Sequence, residues 1–128
     1  MKFARRVFLA AGIYGIVVLF PLYFMKERLG LDYPPAITHP EFFYGFVGLA
    51  LAWQVVFLIM SRDPMRYRWL ILPAILEKLS YGIPIVLLLS RGEVSGGPAV
   101  GGLIDLGLAV LFAIAFALLG KEKATTES

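Results

Sequence analysis

Residues 62–90 read RDPMRYRWLILPAILEKLSYGIPIVLLLS, an apolar stretch with two adjacent charges, Glu77 and Lys78, near its middle. Its many Leu, Ile and Val side chains favour insertion into a bilayer by roughly 4–7 kcal/mol, whereas the two charges cost about as much. The stretch therefore predicts a transmembrane helix that inserts only when neighbouring helices satisfy its polar groups.

The two charges are predicted to lie on different faces of this helix, because adjacent residues are rotated by about 100° and do not meet. Glu77, Ser80, Tyr81 and Pro84 have the spacing i, i+3, i+4 and i+7, which predicts one face turned toward the bundle interior. Lys78 is predicted to point sideways from that face and to snorkel along its stem. Glu77 is interpreted either as a proton or ligand site or as a buried carboxyl that joins helices.

The composition excludes a water-soluble domain and indicates a single integral membrane domain. Of 128 residues, 59% are hydrophobic, and the mean hydropathy is +0.80. Cysteine is absent, which excludes disulfides, thiolate metal sites and cysteine nucleophiles. The net charge of +3 is typical of loops that face anionic lipid, and no nucleic-acid partner is predicted.

An apolar run at the N-terminus, Val7 to Met25, is longer than the core of a secretory signal and predicts a retained helix. Pro21 is predicted to kink it, because proline lacks a backbone N–H and its ring crowds the preceding turn. A second helix is predicted to follow the segment THPE, in which Thr38 and Glu41 have the spacing of a capping box with Thr38 as the N-cap.

Asp63 and Pro64 predict the N-cap and first residue of the third helix, packed against the second as a hairpin. Pro98 predicts the start of the fourth, in which alanines every four residues predict a close-packing face, at Ala109, Ala113 and Ala117. The predicted fold is all-α, an antiparallel bundle of four transmembrane helices at about 4–29, 39–61, 64–90 and 98–120 with a frayed polar tail at 121–128.

The distribution of Lys and Arg predicts the orientation of the bundle. Eight of these residues fall in the N-terminal segment, the turn around Asp63 and the tail, whereas three fall in the loops around Asp32 and Glu93. Because cytoplasmic segments carry the excess of positive charge, both termini are predicted to be cytoplasmic, in a bacterial inner membrane.

The helices are predicted to share a polar layer. With a rise of about 1.5 Å per residue, Glu77, Gln54 and Tyr14 lie roughly 10–13 Å above the inner helix ends. Asp105 lies roughly 20 Å up, near Tyr81. We expect Glu77 to contact Gln54, Tyr14 or Tyr81, and Lys78, between the two levels, to pair with Asp105. The candidate ligand-binding residues are therefore Glu77, Tyr81, Asp105, Gln54, Tyr14 and Lys78.

In size and helix count the chain resembles small bacterial four-helix membrane proteins of the DoxX-like kind. The pair Asp63-Pro64 and the spacing of Glu77 and Pro84 are similar to the DP and E…P pieces of the EXPERA fold of emopamil-binding-like proteins. Proteins of that fold place acidic residues around an apolar ligand cavity among four helices. The resemblance implies a membrane-spanning fold and such a cavity, and we do not extend it to sterol isomerase activity.

Three functions remain open on the sequence. The chain is either a non-enzymatic accessory or packing subunit of a larger or self-associated membrane complex, a binding protein for a quinone, isoprenoid or sterol-like ligand, or a proton-coupled transporter acting as an oligomer. No haem, metal or nucleotide motif is present, so no cofactor, metal site or catalytic residue is predicted, and the lone His39 is assigned to a loop or cap. A well-packed bundle favours the first function, a cavity beside Glu77 the second, and a water-filled path through a dimer the third.

Overall fold

The computed structural model describes residues 1–127, which contain helices and turns and no strand. Five α-helices occur in the order α1 (Lys2–Leu19), α2 (Lys26–Asp32), α3 (Pro40–Arg62), α4 (Ile71–Ser90) and α5 (Gly96–Glu127). Short 3-10 segments, Phe20–Phe24 and Arg68–Leu70, precede α2 and α4. Four spans are long and apolar enough to cross a membrane, Lys2–Phe24, Pro40–Arg62, Arg68–Ser90 and Gly96–Glu127. The predicted all-α fold with four long apolar helices is confirmed.

The first span is interrupted around Pro21. The α-helical pattern of α1 ends at Leu19, and the 3-10 segment carries the chain to Phe24. Proline cannot donate the hydrogen bond that would continue the helix. The disturbance is larger than the predicted kink, because the remaining residues form a separate short helix, α2, that begins at Lys26.

The predicted N-cap of the second long helix is wrong. His39 occupies the N-cap position of α3, and no side chain caps the helix there. The ring Nδ1 of His39 instead lies 3.2 Å from Glu41 Oε1, so the carboxylate expected to complete a capping box with Thr38 contacts His39. Pro40 does stand in the first turn, where its missing N–H costs no hydrogen bond.

The predicted start of the third long helix at Asp63 is also wrong. Asp63 is the C-cap of α3, and its carboxylate accepts a hydrogen bond from the backbone N–H of Arg66, at 3.3 Å. This interaction closes a turn, a common use of aspartate. The α-helix α4 begins at Ile71, after the 3-10 segment.

The tail from residue 121 was predicted to be frayed, but α5 continues through it to Glu127. The hydroxyl of Thr125 donates to the carbonyl of Lys121 at 3.0 Å, and the Lys123 ammonium lies 3.9 Å from the Glu127 carboxylate. Charged pairs at i, i+4 support a helix of this composition. The last residue of the predicted tail, Ser128, lies outside the described residues.

Two helix pairs make up the bundle: α1 packs along α3, and α4 packs along α5. Glycines permit both close approaches. A Cβ at Gly12 would lie 2.6 Å from Leu58 of α3, and one at Gly82 would lie 2.6 Å from Leu106 of α5. The helices α3 and α4 have few contacts despite the short turn between them. The two helices of the predicted hairpin are therefore joined by a turn but do not pack along each other.

The dense core lies at the end of the bundle that holds the chain termini. Three fully buried rings meet there, with 4.6 Å between the centroids of Phe8 and Phe112 and 5.2 Å between those of Phe57 and Phe112. On α5 the buried face consists of Ala109, Phe112, Ala115 and Leu119. Ala113 and Ala117 are exposed, so the predicted alanine face is correct only at Ala109. The other half of the bundle is not filled in this way.

Candidate functional site

A cavity of about 830 Å³ occupies the half of the bundle away from the aromatic core. Its volume is in the range of sites that hold small organic ligands, roughly 300–1,000 Å³. Its wall comes from α1, α2, α3, α4, α5 and the 3-10 segment before α2, and it is mainly apolar. All six side chains predicted as candidate ligand contacts line it, namely Tyr14, Gln54, Glu77, Lys78, Tyr81 and Asp105.

Lys78 lies at the polar end of the cavity, between two carboxylates. Its Nζ is 3.4 Å from Asp105 Oδ1 and 3.5 Å from Glu77 Oε2. The same ammonium lies 5.1 Å from the centroid of the Phe57 ring, a cation–π distance. The predicted Lys78–Asp105 pair is therefore present.

The prediction that Lys78 snorkels along its stem is wrong, because its side chain is only 3% exposed. Helix α5 lies on the side of α4 from which Lys78 projects and presents Asp105 to it. The long lysine stem also brings the ammonium back within reach of its neighbour Glu77, although adjacent positions do not share a helix face. A charge this deeply buried needs such partners.

The carboxylates, rather than the ammonium, face the open space. The side chains of Glu77 and Asp105 are 16% and 15% exposed, compared with 3% for Lys78. Glu77 Oε2 is inaccessible and accepts no hydrogen bond, although Lys78 lies close to it. The three groups together form an acidic surface with a single cation behind it.

Gln54 lies in the same region but does not bond to Glu77 as predicted. Its Nε2 donates to the carbonyl of Ala50 on its own helix, at 2.7 Å. The residue is 1% exposed, and Oε1 has no hydrogen-bond partner among the described residues. Gly15 of α1 makes room for this amide, because a Cβ there would overlap the Gln54 side chain.

Tyr81 was predicted to meet Asp105, but its hydroxyl donates to the carbonyl of Pro98 at 3.2 Å. Its ring stacks on Phe46 of α3, with centroids 5.8 Å apart. This is one of the few contacts between α3 and α4. Tyr81 therefore spans the gap between these helices, and Tyr14 lines the cavity from α1.

Tyr33, which the sequence did not single out, closes the cavity at the end away from the core. Its hydroxyl accepts a hydrogen bond from the backbone N–H of Gly97, at 3.0 Å. Gly96 has a φ of +64°, and a Cβ there would lie 2.8 Å from the Tyr33 hydroxyl. The Gly96-Gly97 pair is the only sequence signal for this contact. It indicates that another group approaches the backbone closely, but it does not identify that group as Tyr33.

The cavity also opens sideways between α3 and α4. Three apolar residues that line it are exposed at this gap, Phe46 at 43%, Leu49 at 71% and Leu76 at 66%. An apolar rim of this kind would be unfavourable in water and is suited to contact with lipid chains. The opening follows from the sparse packing of α3 against α4.

The polar end of the cavity is an ion-paired group, and no three His, Asp or Glu side chains converge anywhere in residues 1–127. The arrangement can hold a molecule whose bulk is apolar and whose polar group reaches Glu77 and Asp105.

No protein family model, curated protein or solved structure matches this chain.

Proposed function

We propose that this protein is an integral membrane protein that binds a small, mainly apolar ligand within its helix bundle. The cavity carries the proposal, because a subunit whose polar layer served only packing would fill this half of the bundle as it fills the aromatic end. The cavity instead lies directly beside Glu77, the outcome that favours ligand binding over the two other functions considered from the sequence.

The bundle spans the membrane as four antiparallel helices in this proposal. The order of contacts supports the arrangement for α4 and α5: Gly82 of α4 meets Leu106 of α5, whereas Arg68, in the 3-10 segment before α4, donates to the carbonyl of Phe116, later on α5. Large apolar side chains remain exposed on all four long helices, as a lipid environment requires, for example Val17, Leu49, Leu76 and Val110. The asymmetry of Lys and Arg supports cytoplasmic termini in a bacterial inner membrane.

The ligand class follows from the shape and chemistry of the cavity. The apolar wall favours a hydrocarbon body such as that of an isoprenoid, a quinone or a sterol-like molecule, and the ion-paired end fixes the orientation of its polar group. The rim formed by Phe46, Leu49 and Leu76 gives a ligand dissolved in the bilayer a direct route between α3 and α4.

Native mass spectrometry of the purified protein tests this proposal with a matched pair of variants on α5. Gly101 lines the cavity, and a Cβ there meets only Tyr81, at 3.8 Å, so Gly101→Leu extends into the ligand space. Gly107 faces outward with no atom within 4 Å of an added Cβ, so Gly107→Leu is the control.

We expect a bound small molecule of one mass on the wild-type protein and on Gly107→Leu, and its loss from Gly101→Leu. Equal occupancy in all three proteins would contradict binding in the cavity, and so would the absence of any adduct after gentle extraction with added lipid.

A further inference from the structure

We infer that the ligand is a lipid-soluble alcohol whose hydroxyl donates a hydrogen bond to the acidic end formed by Glu77 and Asp105. This inference rests on the proposed function, since it concerns the polar group of a molecule held in the same cavity. Two observations support it: the acceptors of the site are in excess, and its exposed surface is carboxylate.

Three protein donors around the polar end are in use. The hydroxyl of Ser80 donates to the carbonyl of Glu77 at 2.7 Å, and that of Tyr81 donates to Pro98 at 3.2 Å. The amide nitrogen of Gln54 donates to Ala50. The Tyr14 hydroxyl and the Trp53 indole N–H also line the cavity and have no hydrogen-bond partner among the described residues, so these are the donors that a ligand able only to accept, such as a quinone carbonyl, would meet.

The acceptors at the same end exceed the donors. Two carboxylates share the single ammonium of Lys78, at 3.5 Å from Glu77 and 3.4 Å from Asp105. A carboxylate pair offers about eight lone-pair sites, whereas an ammonium offers three donors. Gln54 adds a carbonyl oxygen without a partner in a side chain that is 1% exposed. Buried acceptors of this kind are stabilised by an incoming donor.

The position of the groups determines which of them a ligand meets. Glu77 and Asp105 retain exposed surface and line the cavity, whereas the Lys78 side chain is 3% exposed. A hydroxyl entering the cavity therefore approaches the carboxylates before the ammonium. A neutral hydroxyl also passes the apolar rim at a lower desolvation cost than a charged amine would.

Quenching of Trp53 fluorescence tests the inference, because Trp53 lines the cavity and Trp69 does not. The Trp69→Phe variant, which keeps an aromatic ring against Phe116, leaves Trp53 as the sole tryptophan. The protein in lipid nanodiscs is titrated with 2-bromododecan-1-ol and with its methyl ether, which match in chain and bromine but differ in the donor. A Trp53→Phe protein that retains Trp69 reports partition into the bilayer alone.

We expect the alcohol to quench Trp53 at about one-tenth the membrane concentration that the ether requires, the effect of one hydrogen bond to a charged acceptor. Glu77→Met, in which Lys78 keeps Asp105 as its partner, should reduce this preference. Saturable quenching with equal affinity for alcohol and ether would overturn the inference and leave ligand binding standing. If neither probe quenched Trp53 above the level seen for Trp69, the proposed function itself would fail.

Discussion

Lys78 and Asp105, 27 positions apart in sequence, meet at the polar end of the cavity with 3.4 Å between Nζ and Oδ1. Glu77 approaches the same ammonium to 3.5 Å from the other side. One cation thus holds two carboxylates between α4 and α5, and each prediction about the stability of this site depends on that two-to-one ratio.

Lys78→Met should destabilise the protein more than Glu77→Gln or Asp105→Asn. Removing Lys78 leaves two buried carboxylates without a cation, a loss on the order of 3 kcal/mol in the free energy of unfolding. Removing either carboxylate leaves the ammonium with one partner. The double variant Lys78→Met/Asp105→Asn should recover part of the loss. Denaturant titration of the reconstituted protein measures the order, and equal effects of the three single changes would contradict the shared pairing.

Glu77→Gln and Glu77→Leu separate the structural role of Glu77 from a role in binding. Glutamine keeps the shape and a hydrogen-bonding oxygen but removes the charge, so we expect nearly unchanged stability and weaker ligand binding. Leucine also removes the contact with Lys78 at 3.5 Å, so we expect a larger loss of stability and of bound ligand than in Glu77→Gln. Thermal denaturation and native mass spectrometry on the same samples test both parts. Unchanged ligand occupancy in both Glu77→Gln and Glu77→Leu would indicate that Glu77 serves packing alone.

Gly15→Ala should destabilise the contact between α1 and α3, because its Cβ would overlap the Gln54 amide. That amide is buried and bonded to Ala50, so it cannot move without losing an interaction, and we expect a cost of about 1–3 kcal/mol. Gly45→Ala on α3 is the matched control, since no atom lies within 4 Å of its added Cβ. The same unfolding assay compares them, and equal stability of the two variants would show that this contact tolerates a methyl group.

The orientation can be tested with single cysteines, since the natural chain has none. A membrane-impermeant thiol reagent added to intact cells should label Ala36→Cys, in the loop between α2 and α3, and leave Ala124→Cys, near the end of α5, unlabelled. Lysed cells should label at both positions. The reverse pattern in intact cells would contradict the cytoplasmic placement of the termini.

The sequence was sufficient for the helices and for the level of the polar side chains. Long apolar runs define the spans by length, and helical rise alone places Glu77, Gln54 and Tyr14 near one depth. The six side chains selected in this way all line one cavity. Residue counts along each helix were therefore enough to select side chains that share this cavity.

The rotation of each helix about its own axis, which decides the face that packs, could not be predicted from the sequence. The fourth helix is apolar on every side, so its sequence does not indicate which face packs, and Ala113 and Ala117 proved exposed. The burial of Lys78 was missed for a related reason: it depends on how closely α5 packs against α4 around Asp105, a tertiary relationship. The contact of Tyr33 with Gly97 joins distant segments through one hydrogen bond and leaves no periodic pattern.

Diffraction from crystals grown in lipid with 2-bromododecan-1-ol tests ligand binding in the cavity most directly. Bromine scatters anomalously, so its position is identified independently of the rest of the map. We expect an anomalous peak inside the cavity between Trp53 and the Glu77–Asp105 end, with chain density leading toward the rim of Phe46, Leu49 and Leu76. A cavity closed by repacked side chains, with bromine found only on the outer, lipid-facing surface, would contradict it.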